Sequence, residues 1–193
     1  TTIGTRAFYR SGLVGVVARN ASLAVGDYAF SELDDLESFI GTVGSLGIGS
    51  FSFDPLLTAI KFSDSIDRIS RSAFSNDVNL ELMELPSSVK YIDENAFRYT
   101  KINAVTIPDG VETISAGAFS ECSNLEKVDL PKSLVVIEDE AFMGTNLGKL
   151  FIPKALVKIS DTAFRNISSL TSIEVDADNP VFDSRDDSNA IIE

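Results

Sequence analysis

The chain has 193 residues, with 16 Lys+Arg against 29 Asp+Glu, which leaves a net charge of −13 and not one histidine. With 44% apolar and 23% charged residues the composition fills a core rather than a disordered coil. The acidic surplus repels phosphate backbones and anionic lipid, and no apolar run approaches the roughly 18 residues of a membrane span, so nucleic-acid and membrane roles are not expected.

Without imidazole there is no Ser-His-Asp triad, no Cys-His pair and no histidine-based metal site. A lone Cys122 makes neither an intramolecular disulfide nor a cysteine-rich zinc site. Ser87-Ser88-Val89-Lys90 matches SxxK, yet it lies inside a repeat and lacks the companion motifs of serine acylases. Gly41, Gly44, Gly47 and Gly49 do not have phosphate-loop spacing and read as a loop.

From Thr1 the chain opens in mid-repeat, as a piece of a longer protein would. An Ala-Phe or Ser-Phe pair then recurs, with phenylalanines at Phe8, Phe30, Phe51, Phe74, Phe97, Phe119, Phe142 and Phe164, 21 to 23 residues apart. The early copies are irregular: Arg19 stands where later copies have proline, and the copy near 31–53 has lost its proline and offers Phe51 or Phe53 as its repeat phenylalanine. A loosened or bulged repeat is expected there.

From Leu57 to Val175 the offsets are regular. Five residues before each phenylalanine stand Ile69, Ile92, Ile114, Ile137 and Ile159; eleven before stand Pro86, Pro108, Pro131 and Pro153. Fourteen and twelve before come pairs such as Val105/Ile107, Val128/Leu130 and Leu150/Ile152. One outward residue between two inward ones is the period of a half-buried strand, and the proline ends it by removing an amide donor. The four-residue step from Ile137 to Ala141 suits a helical turn. One such unit cannot bury its own apolar face, so the copies stack into a solenoid with the phenylalanines as a core spine. Cys122, three residues after Phe119, shares its column with Thr100 and Thr145 and reads as a small packing residue.

The pattern Leu125-x-x-Val128-x-Leu130-Pro131-x-Ser133-Leu134-x-x-Ile137-x-x-x-Ala141-Phe142 resembles the BspA-like (Treponema pallidum type) leucine-rich repeat family. The resemblance implies an α/β repeat solenoid, a right-handed array with 22–23-residue repeats and a parallel β-sheet on its concave face. It implies leucine-rich repeats over 1–175 and a hairpin segment beginning at 176–193. It further implies a non-enzymatic secreted or cell-surface protein of host-associated bacteria or some protozoan parasites, acting in adhesion. The partner would be a protein, such as a host extracellular-matrix or plasma protein. No cofactor is implied, and a monomer is the favoured state.

Outward strand positions supply the candidate partner-binding residues. One column holds Lys61, Glu84, Thr106, Asp129, Phe151 and Glu174; its neighbour holds Leu82, Lys127 and Lys149. Phe151 and Leu82 are expected to anchor a partner, while Glu84, Asp129 and Glu174 select a basic region of it. The tail acids Asp176, Asp178, Asp183, Asp186 and Asp187 lack calcium-loop spacing and are expected to be a solvated hairpin loop without metal. Two rival readings remain: a spacer that projects another domain, and a glycoside hydrolase working with two carboxylates.

Overall fold

The computed structural model describes residues 1–81 and 84–182, with the backbone alone at 20 and 21. In chain order the strands are β1 (Thr2–Ile3), β2 (Gly15–Val25), β3 (Ser38–Leu46), β4 (Arg68–Ile69), β5 (Tyr91–Ile92), β6 (Ala104–Thr106), β7 (Thr113–Ile114), β8 (Lys127–Asp129), β9 (Val136–Ile137), β10 (Lys149–Ile152), β11 (Lys158–Ile159) and β12 (Ser172–Val175). Every pairing among them is parallel, as a solenoid of about seven stacked coils requires.

Two strand lines run along the stack. The first comprises the alternating strands, with β6 paired to β8 and β10 to β12. The second is the five-stranded ladder β11-β9-β7-β5-β4, in which Ile69, Ile92, Ile114, Ile137 and Ile159 stand in register. Proline separates the lines: its carbonyl accepts the Val89, Val111, Leu134 or Leu156 amide three residues on, which closes a turn. Neither β2 nor β3 contains a proline, and there the strand continues from one line into the other, with register shifts between Val17 and Ser22 and between Leu23 and Ala24.

The α/β expectation is corrected here, because no helix occurs among the described residues. The Ile-x-x-x-Ala-Phe step is a two-residue strand followed by a turn. From the Phe8 turn to the Phe142 turn the amides two residues before, at, and two residues after the phenylalanine donate to the next coil, as in Tyr99 N–H to Ser120 O and Phe97 N–H to Ala118 O. The intervening amides bond back three residues, as in Arg98 N–H to Asn95 O. Positive φ at the flanking positions, Asn95 at 55° and Tyr99 at 61°, produces this alternation. Gly117 and Gly144 take these positions in later coils, at 63° and 69°, where a side chain costs more. A helix would direct the same amides four residues back and forfeit the contacts between coils.

The alternation turns each phenylalanine inward. Consecutive rings from Phe8 to Phe164 are stacked with centroids 5.2 to 5.6 Å apart, and Phe51 occupies the third place in the spine. Phe30, Phe51, Phe74, Phe97, Phe119 and Phe142 are wholly buried, and Phe53 is exposed.

Candidate functional site

Residues of β6, β8, β10 and β12 alternate inward and outward, so the first line presents a polar outer face over the core. Lys61, Glu84, Thr106, Lys127, Asp129, Lys149 and Glu174 are exposed on it, and Phe151 is 49% exposed. Register aligns Thr106 with Asp129, Ala104 with Lys127, Lys149 with Ser172 and Phe151 with Glu174. The Thr106 hydroxyl donates to Asp129 Oδ2 at 3.2 Å, and Lys127 Nζ reaches the same oxygen at 3.0 Å. This surface ion pair is solvated and sets orientation more than stability.

Two shallow depressions adjoin on this face. One, of about 610 Å³, is lined by Glu84, Leu85, Thr106, Lys127 and Asp129. The other, of about 620 Å³, is lined by Lys61, Phe62, Glu81, Glu84 and Ala104. Glu84, Leu85 and Ala104 belong to both, so the two form one continuous trough. Leu82 lies outside the described residues.

Sequence reasoning missed the apolar end of the same face. Val17 of β2 and Ile40 of β3 pair in register and are 59% and 62% exposed. Alternation in Val16-Val17-Ala18 was the available signal, blurred because no proline marks the strand end.

It also missed two core acids. Asp54 and Asp77 stand three residues after Phe51 and Phe74, in the column of Thr100 and Cys122, and both are fully buried. Asp54 Oδ1 accepts the Leu33 amide and Asp77 Oδ1 the Asp54 amide, each at 2.9 Å, while both Oδ2 atoms are without a partner. Burial, with the nearby Asp34 charge, pushes the Asp54 carboxyl up to about 8; burial and then the neighbouring Asp54 charge push Asp77 well above the carboxylate range. An elevated carboxyl invites an acid-catalyst reading, but neither side chain reaches solvent, where a glycan would have to lie.

Cys122 is likewise internal. Its Sγ donates to Phe97 O at 3.0 Å and lies 3.3 Å from Thr100 Oγ1, and burial pushes the thiol up to about 11. In the SxxK match, Ser87 and Lys90 are exposed, while the Ser88 hydroxyl donates to Ile66 O at 2.6 Å, a contact between coils. Of the tail acids, Asp176 Oδ1 accepts the Asp178 amide and Asp178 pairs with Lys154 at 3.2 Å; Asp183, Asp186 and Asp187 lie outside the described residues. Among the described residues no group of three metal-binding side chains converges.

The family profile of the BspA type leucine rich repeat region matches in 6 copies, over residues 1–115 and 91–184. The chain belongs to the BspA type leucine rich repeat family. No catalytic family is indicated. No curated protein matches the chain. Among solved structures, a leucine rich cell surface protein from Faecalibacterium prausnitzii A2-165 is 27% identical over 100% of this BspA type chain and 46% of its own, at a TM-score of 0.73. A leucine-rich repeat protein from Bacteroides ovatus ATCC 8483 is 24% identical, covering 93% of this chain and 50% of its own at a TM-score of 0.68. The T. pallidum leucine rich repeat protein shares the fold at 20% identity and a TM-score of 0.53, covering 90% of this chain and 77% of its own. The chain thus spans about half the length of the first two.

Proposed function

We propose that the chain is a non-enzymatic, cell-surface or secreted protein-binding module that works in adhesion through the outer face of the first strand line. The observation that carries this reading is the continuous trough from Lys61 to Asp129, with Phe151 half-exposed beyond it. A face of mixed charge beside a projecting aromatic ring is the chemistry of a protein interface: the ring fills a partner's pocket while Glu84, Asp129 and Glu174 select basic side chains, and Lys61, Lys127 and Lys149 select acidic ones. In this reading the first line is the concave side of a right-handed array, residues 1–175 form the repeats, and the tail from 176 begins a hairpin. The cell-surface description of the F. prausnitzii protein supports the location. Repeat arrays commonly bind along one extended face.

The experiment immobilises the protein and passes host plasma and extracellular-matrix extract over it at physiological salt, with retained proteins identified by mass spectrometry. A folded variant carrying Glu84→Lys, Asp129→Lys and Phe151→Ala runs beside it. A protein kept by the parent and lost by the variant supports the reading. Equal retention refutes the sheet-face site, and no retention favours a spacer.

A further inference from the structure

The edge of the solenoid that follows the phenylalanine turns carries a feature separate from the sheet face. A groove of about 780 Å³ crosses the early coils there, lined by Arg10, Glu32, Asp34, Asp35, Phe53, Pro55 and Val78 among others. Its charged groups fall into two sets. Arg10 pairs with Glu32 at 2.5 Å, and the Tyr9 hydroxyl donates to the same carboxylate at 2.7 Å. These hydrogen bonds, Tyr9's first, hold the Glu32 carboxyl below its usual range, and Arg10 feels the Asp34 charge more weakly than that of Glu32. Asp34 and Asp35 are exposed and form no salt bridge among the described residues.

The apolar wall is built around Phe53, 52% exposed, with Pro55 beside it and the exposed Val78 one coil on. Phe53 has φ 65°, a left-handed backbone; the same place after the other spine phenylalanines is taken by Arg10, Glu32, Asn76, Tyr99, Glu121, Gly144 and Asn166, so the turn accepts polar, charged, small and aromatic residues alike. The turn thus does not require an aromatic residue at this place, and Phe53 is not part of the buried core. An aromatic face, an aliphatic wall and two unpaired carboxylates together match a long side chain that is apolar along its stem and positive at its tip.

We propose that this groove takes a lysine or arginine side chain from a basic polypeptide segment, the stem lying on Phe53, Pro55 and Val78 and the cationic head facing Asp34 and Asp35. The site shares no residue with the sheet face, so each can fail without the other. The net charge of −13 draws such segments toward the molecule, and the groove gives them a place.

The test is fluorescence anisotropy with a labelled peptide of alternating Lys and Ala at about 0.15 M salt, where diffuse attraction is screened beyond about 8 Å. Phe53→Ala, which changes no charge, and Asp34→Asn/Asp35→Asn should each weaken binding about tenfold. Glu112→Gln/Asp161→Asn, an equal charge change at two other exposed acids, should weaken it less than about twofold. Phe53→Asn, suited to the left-handed backbone, repeats the aromatic test should Phe53→Ala melt early. The proposal is overturned if the control weakens binding as much as the groove variants, if both Phe53 variants bind like the parent, if loss is confined to a Glu84→Gln/Asp129→Asn sheet-face variant, or if the parent does not bind the peptide.

Discussion

Asp54 and Asp77 make the stability of the stack depend on pH in the direction opposite to ordinary acid denaturation. An unfolded aspartate gives up its proton near 3.8, whereas folded Asp54 keeps it to about 8. Between those values the folded chain holds the extra proton, so stability is complete below the lower value and declines as pH rises through the window. One group contributes about 1.4 kcal/mol per pH unit, so Asp54 alone loses about 3 kcal/mol from pH 5 to pH 7. For a chain of this size that is a fall of roughly 6–12 °C in Tm, and Asp77 adds to it in the same direction. Asp54→Asn/Asp77→Asn removes both titrations and keeps the Oδ1 acceptors for the Leu33 and Asp54 amides. Calorimetry of parent and variant at pH 5, 6 and 7 reads the effect as a Tm difference that moves in the variant's favour by at least those roughly 6–12 °C. The loss of Oδ2 displaces the variant's curve by a constant and does not tilt it. Parallel curves would refute the argument and place solvent beside both carboxyls.

Three other outcomes follow from the packing. Phe119→Ala should lower stability by about 3–5 kcal/mol in denaturant titration, since it removes one ring from a stacked column and leaves a cavity; an unchanged midpoint would contradict the spine. Cys122 should resist iodoacetamide in the native protein at pH 8 and react in denaturant, because its buried thiol titrates at about 11. Mass spectrometry of the native protein showing rapid labelling would contradict its burial. Pro131→Ala should cost little, on the order of 1 kcal/mol by thermal melting, because Ser63 closes the same turn through its own carbonyl to Ile66 without proline.

The spine was legible because one residue type recurs at nearly fixed intervals and only stacking buries all of it. The sheet face was legible from alternation, which distinguished Asp129 and Phe151 from Val128 and Leu150. The second strand line was not. Two residues such as Tyr91-Ile92 are too short to show alternation, and the four-residue step to Ala96 copies a helical spacing. A clue lay two residues either side of the phenylalanines, where Asn76, Asn95, Gly117, Gly144 and Asn166 favour positive φ over a helix. The buried acids were hidden by chemistry: aspartate is normally read as solvent-facing, and only its place in the Thr100–Cys122 column marks Asp54 and Asp77 as internal.

The alternate amides that join one phenylalanine turn to the next all point the same way. Phe30 donates to Ser50, Phe51 to Ala73, Phe74 to Ala96 and Phe97 to Ala118, always from a lower-numbered coil to a higher one, and from the Phe8 turn to the Phe142 turn the residues two before and two after the phenylalanine do the same. Peptide dipoles aligned in this fashion add. The turn edge of the solenoid is therefore an electrically polar column, positive toward the later coils, formed between segments rather than within a helix. Such a column has a direction, and a coil grafted into it fits in one orientation alone.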